Sequence, residues 1–176
     1  MYPLLIVVRQ VTLQGFKTMS NLIHAQGNLL DMAEAGNFDV IIQGCNCFNA
    51  MGGGIAREIA MRYPHVAEVD MKTVRGDYNK LGTYTREVVS GHEHSFIVIN
   101  AYTQFETSRS EDVFEYVAFD LILQKMVRLW GIYNIGLPYI GMGLAGGDKT
   151  RILPMIEKFA EQVHEKGGSV TLVEFK

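Results

Sequence analysis

The stretch Ile42-Gln43-Gly44-Cys45-Asn46-Cys47-Phe48-Asn49-Ala50-Met51-Gly52-Gly53-Gly54-Ile55 decides the fold class. It grows out of the apolar run Val40-Ile41-Ile42, passes through a polar turn, and enters a segment where Ile55, Ile59 and Tyr63 share one helical face. A continuously apolar run of this kind marks a central strand covered on both faces. Strand, glycine turn and amphipathic helix in succession is the building unit of an α/β fold. Three successive glycines at a helix entrance expose backbone N–H groups with no Cβ in the way, and the helix N-terminus adds partial positive charge. A phosphate suits that environment. No GK[ST] follows, so this is not a P-loop, and the glycine order is not that of GxGxxG, which sets aside a dinucleotide oxidoreductase. A flexible turn is the other reading of the same glycines.

A second segment repeats the theme. Leu137-Pro138-Tyr139-Ile140-Gly141-Met142-Gly143-Leu144-Ala145-Gly146-Gly147-Asp148 also follows a strand signal and precedes a helical one. Two such loops point to a ligand with a diphosphate, held beyond the carboxyl ends of central strands. Working outward, strand signals fall at Leu4–Leu13, Leu22–Ala25, Val40–Gln43, Thr83–Val89, Phe96–Asn100, Tyr133–Leu137 and Ser169–Phe175. Helical spacing appears in Val113, Val117, Leu121 and Leu129, opened by Glu111 and Asp112, and again in Ile152, Ile156, Phe159 and Val163. A further helix is expected from His65 to Val74, after Pro64. The alternation predicts a three-layer α/β/α architecture around a mixed, mostly parallel sheet. No linker or repeat divides the chain, so residues 1–176 are read as one domain with its core in 19–176; residues 1–18 are an extra strand or an extension.

Composition sets bounds on partners. The net charge is −3, so nothing general attracts nucleic acid or an anionic membrane, and any phosphate site must be local. The apolar run near the start spans only Pro3 to Val8, too short for a signal peptide or a membrane span. Cys45 and Cys47 fit neither a redox CxxC nor a zinc pair, and a reducing cytoplasm is the expected location. Cys45 has no adjoining base to activate it and reads as a small buried hydrophobe. His92-Glu93-His94 lies in a polar turn without a third ligand, so no metal is expected there. Lys80 is expected on a solvated turn, and Asp70 and Asp77 are read as structural. Tyr102, Gln104 and Phe105 follow a central strand and either line a cleft or pack. No cofactor is expected, and the chain is expected to be a monomer.

With these residues in view, the sequence resembles the macro domain family of ADP-ribose-binding modules. Gly44-Cys45-Asn46-Cys47 with Met51-Gly52-Gly53-Gly54-Ile55-Ala56, continuing to Met61-Arg62-Tyr63-Pro64, is similar to the branch holding the yeast ADP-ribose-1''-phosphate phosphatase and small bacterial and phage proteins. The loop Pro138 to Gly147 resembles the PxIGxGLGG loop of that branch. The resemblance implies ADP-ribose or a derivative as ligand. It implies that Asn46 holds the distal ribose, that Met51, Gly52, Gly53, Gly54 and Ile55 form one phosphate loop, and that Gly141, Met142, Gly143, Leu144, Ala145 and Gly146 form the other. Asn28, in Gly27-Asn28-Leu29, stands where most of the family has an aspartate that accepts from the adenine amine; an amide oxygen can accept the same bond. The departures concern catalysis: Gln43 replaces the phosphatase histidine, Arg86 a lysine and Ala145 an aspartate of the branch that removes ADP-ribose from glutamate. Asn46 and Asp148 remain as catalytic candidates, with Asp148 open between a helix cap and a base or water-orienting group. The implied activity is hydrolysis of ADP-ribose-1''-phosphate or of an ADP-ribosyl linkage; a reader that binds without turnover is the alternative.

Overall fold

The computed structural model describes residues 20–91, 93–107 and 113–176. The expected strand Leu4–Leu13, the acidic opening Glu111-Asp112 and His92 lie outside the described residues. Among the described residues six strands, β1 (Leu22–Gln26), β2 (Val40–Asn46), β3 (Tyr84–Ser90), β4 (Ser95–Gln104), β5 (Asn134–Leu137) and β6 (Ser169–Glu174), form one sheet in the order β1-β6-β5-β2-β4-β3. All neighbours are parallel except the β3–β4 hairpin. The helices are α1 (Leu29–Glu34), α2 (Gly54–Arg62), α3 (Pro64–Met71), α4 (Tyr116–Trp130) and α5 (Lys149–Glu165).

The apolar run of β2 shows why this sheet has two covered faces. Val40 and Ile42 point into a core shared with α4 and α5, whereas Ile41 points into one shared with α1, α2 and α3. Period-two alternation across a strand buried on both sides accounts for the run without a polar break. Each fully buried aliphatic side chain here contributes about 1.5–3 kcal/mol. The result is the three-layer sandwich that the sequence predicts. Among the described residues, no helix is long and apolar enough to cross a membrane.

Three elements differ from expectation. α1 was not expected; Asn28 starts it, its Oδ1 accepting from the N–H groups of Leu30 and Asp31 at 2.9 and 3.2 Å. α4 begins at Tyr116, and its buried face is Ala118, Phe119, Ile122, Leu123 and Met126. Val117, Leu121 and Leu129 are 75%, 43% and 48% exposed. Both sets recur at helical spacing, so periodicity could not choose between them; the sheet selects the face that carries Phe119. Finally, Lys80 ends a 3-10 turn, Tyr78–Lys80, and is buried rather than solvated.

Candidate ligand cleft

A cavity of about 900 Å³ opens beyond the carboxyl ends of the parallel strands. Gly27 and Asn28 follow β1, Gly44 to Asn46 end β2, Thr103 and Gln104 end β4, Pro138 to Gly141 follow β5, and Val173 and Phe175 come from the end of β6. Gly52 to Ala56 and Glu58 form one wall, and Gly141 with Gly143 to Ala145 form the facing one. This is the position at which parallel α/β sheets hold ligands.

Two glycines show how tightly the segments around the cleft are packed. A Cβ on Gly44 would lie 2.9 Å from Thr103 Oγ1 and 3.0 Å from Ile140, so the cleft floor admits only hydrogen there. Gly141 has φ +77°, and its Cβ would lie 2.4 Å from the Phe114 ring. Side chains cap two helices near the cleft: Asn28 caps α1, and Asp148 caps α5. Gly53, by contrast, gives α2 no side-chain cap, so the first turn of α2 presents its N–H groups to the cavity. The only charged side chain among the described wall residues is Glu58. The groups such a wall offers an anion are backbone amides and a helix end, not cationic side chains.

Asn46 closes β2 and shapes the turn behind it. Its Oδ1 accepts from the Phe48 and Ala50 N–H groups at 2.9 and 3.4 Å, and its Nδ2 donates to the Ala50 carbonyl at 2.8 Å. Asn49, in the left-handed region at φ 57°, donates to the Asp70 carbonyl and to Thr73 Oγ1. The buried Lys80 braces the same turn, donating to the Cys47 carbonyl at 3.1 Å and to Asn49 Oδ1 at 3.3 Å, with its ammonium 4.5 Å from the Tyr102 ring centre. Tyr102 is buried and donates to Asp70 Oδ1 at 2.7 Å; burial pushes its phenol well above the ordinary range. Burial likewise raises both thiols, so Cys45 and Cys47 stay protonated as small packing groups.

Of the sequence-derived ligand residues, Asn28, Asn46, Gly52, Gly53, Gly54, Ile55, Gly141, Gly143, Leu144 and Ala145 line the cavity together. Met51, Met142 and Gly146 belong to the same loops but not to its wall. Met51 packs against Cys45, Cys47 and Tyr102, Met142 packs against the α4–α5 core, and Gly146 closes a turn onto the Gly143 carbonyl. Asp148 also lies off the wall. Its Oδ1 accepts from Thr150 N–H at 2.8 Å and Thr150 Oγ1 at 2.7 Å, and these bonds hold its carboxyl below the ordinary value. Asp77 caps the 3-10 turn. Gln43 is buried behind the cleft, donating to Asn100 Oδ1 at 2.7 Å, and the Arg86 guanidinium stands 5.4 Å from the Trp130 ring centre. Gln104 lines the cavity, whereas Phe105 stacks on Tyr78 with ring centres 3.6 Å apart. His94 is engaged with the Phe38 carbonyl at 2.9 Å. Sequence reasoning missed Glu58, Thr103, Thr107, Tyr139 and Phe175 as wall residues; Tyr139 occupies the unspecified second position of the Pro138–Gly147 loop motif, and only the fold brings the others to the cleft.

No protein-family profile matches the chain. It is 30% identical over 132 residues to an uncharacterized 17.5 kDa protein of the tk-vs intergenic region of phage T4, covering 70% of this chain and 81% of that one. A 66-residue stretch, 36% of either chain, is 41% identical to an ADP-ribose 1''-phosphate phosphatase of Saccharomyces cerevisiae. Among solved structures, the macrodomain of Mycobacterium tuberculosis DarG superposes with a TM-score of 0.68 at 18% identity, covering 85% of this chain and 96% of that one. Thermosipho africanus DarTG in complex with ADP-ribose gives 0.67 at 15% identity, covering 86% of this chain and 41% of that one. The Trypanosoma brucei macrodomain in complex with ADP-ribose gives 0.58 at 14% identity, covering 88% and 63%.

Proposed function

The chain belongs to the macro domain family, and from that premise we propose that its cleft binds ADP-ribose or a close derivative. The observation that carries this reading is the uncapped N-terminus of α2 facing the Gly141–Ala145 loop across a cavity of about 900 Å³. A diphosphate placed between them receives N–H bonds from both sides and the positive end of the α2 dipole. The distal ribose then falls beside Asn46, and the base beside Asn28 and Phe175. Absence of cationic side chains from the described wall fits a ligand whose phosphates are recognised by backbone geometry rather than by charge alone.

Hydrolysis of ADP-ribose-1''-phosphate or of an ADP-ribosyl linkage is the second reading, favoured by the partial match to the yeast phosphatase. Chemistry there would rest on electrostatic cradling and on positioning one water between the loops, with Asn46 at the reacting end. Asp148 lies outside the wall and is already bonded to Thr150, which favours its capping role over one as base. Calorimetric titration with ADP-ribose tests the binding claim; no heat at millimolar ligand overturns it. Phosphate release from ADP-ribose-1''-phosphate then separates enzyme from reader. Turnover that survives Asp148→Ala removes that residue from the mechanism.

A further inference from the structure

The Asn28 end of the cleft holds a side-chain arrangement that decides what kind of group can sit there. Asn28 has its amide orientation fixed by its neighbours. Oδ1 accepts from two backbone N–H groups of α1, and Nδ2 donates to Glu58 Oε1 at 2.9 Å. Flipping the amide would set N–H against N–H and oxygen against carboxylate, so only one orientation satisfies all three bonds. The Asn28 oxygen is thereby turned into the helix and away from the ligand space.

Glu58 supplies an acceptor instead. Its Oε1 takes the Asn28 amide and the Arg62 guanidinium at 2.7 Å, whereas Oε2 has no partner among the described residues. Arg62 is itself shared with Asp31 at 2.6 Å and Glu34 at 3.6 Å. One guanidinium faces three carboxylates, so this end repels phosphate and attracts a hydrogen-bond donor. Phe175, 73% exposed, lines the same end, and the Gly27 N–H to Glu174 carbonyl bond at 2.9 Å holds that strand end beside Asn28. An exposed ring next to an acceptor suits a planar group that carries an amine.

We propose that Glu58 is the specificity-determining residue of this end of the cleft, its free carboxylate oxygen accepting from the exocyclic amine of a base that stacks on Phe175. The inference rests on the ADP-ribose reading above. It moves base selectivity from Asn28 to α2: Asn28 holds Glu58 in place as a positioning residue, and Glu58 touches the ligand.

The test is calorimetric titration of the whole chain with ADP-ribose and with its purine counterpart, in which hydrogen replaces the amino group. The wild type is expected to prefer the amino form by about tenfold. Glu58→Gln keeps an oxygen for Asn28 and presents an NH2 group where Oε2 stood, so the preference is expected to fall to near one. Glu58→Ala removes the acceptor altogether and is expected to lose the preference as well. A ratio measured within each variant is insensitive to a general loss of folded protein, which a merely structural role would produce. A tenfold preference that persists in both variants overturns the proposal, as does a wild type that binds both ligands equally. If the wild type binds neither ligand, the ADP-ribose reading itself falls and this inference with it.

Discussion

At Gly141 a single hydrogen atom decides whether the facing wall of the cleft can form. With φ +77° and the Phe114 ring 2.4 Å from where a Cβ would lie, Gly141→Ala combines backbone strain with overpacking. A loss of about 2–3 kcal/mol is expected, read as a lower urea midpoint with unchanged slope; an unaltered midpoint would show that the loop tolerates a side chain. Lys80 is the opposite case, a residue whose importance no local pattern announces. Lys80→Met keeps the stem but strips the Cys47 carbonyl and Asn49 Oδ1 of their donor, for an expected cost of about 1–3 kcal/mol. Amide hydrogen exchange at residues 46–51 should quicken in that variant, and unchanged exchange would mean the turn holds without it. These two positions also mark how far the site was legible. Glycines advertise themselves, because few other reasons put four of them in seven residues after a strand. Lys80, Glu58 and Phe175 carry their meaning through neighbours far away in sequence, and only the folded chain brings those neighbours in.

Helices and strands were readable where one requirement dominated. Val40-Ile41-Ile42 had to be a strand covered twice, and Ile152, Ile156, Phe159 and Val163 had one buried face to fill. α4 is apolar on more than one face, so spacing alone could not fix its rotation, and the choice was left to packing against the sheet. α1 spans only six residues, too short for periodicity, and its real signal was Asn28 as a cap. α5 gives a prediction at this scale. Asp148→Ala deprives the first turn of the bond to Thr150 N–H, so the melting temperature should fall. The carboxyl is held below its ordinary value, so its contribution is present at neutral pH and is lost as pH falls through the depressed folded value. The gap in melting temperature between wild type and variant should therefore be full at pH 7 and should close on acidification below about pH 4. A gap independent of pH would mean the ionised cap is not what stabilises the helix.

At the scale of the molecule, the two glycine loops belong to opposite layers of the sandwich. One leads into α2, which packs on the face shared with α1 and α3; the other leads into α5, which packs with α4 on the other face. A ligand bound to both loops joins the two layers at the carboxyl end of the sheet, beyond the amino-terminal stretch in which β2 and β5 pair through Val40–Ile41 and Ile135–Gly136. Binding to the folded state alone then stabilises the whole domain by linkage, by about 2.7 kcal/mol at a hundredfold excess over Kd. For a chain of this length that corresponds to a rise of roughly 5–10 °C in melting temperature. On the proposed reading AMP and ribose 5-phosphate each fill only part of the cleft, so at the same concentration each should give a smaller rise than ADP-ribose, and their mixture should not reproduce it. Thermal melts with the four additions decide the matter: a rise with AMP equal to that with ADP-ribose would place recognition at the base end alone and leave the second glycine loop without its assigned part.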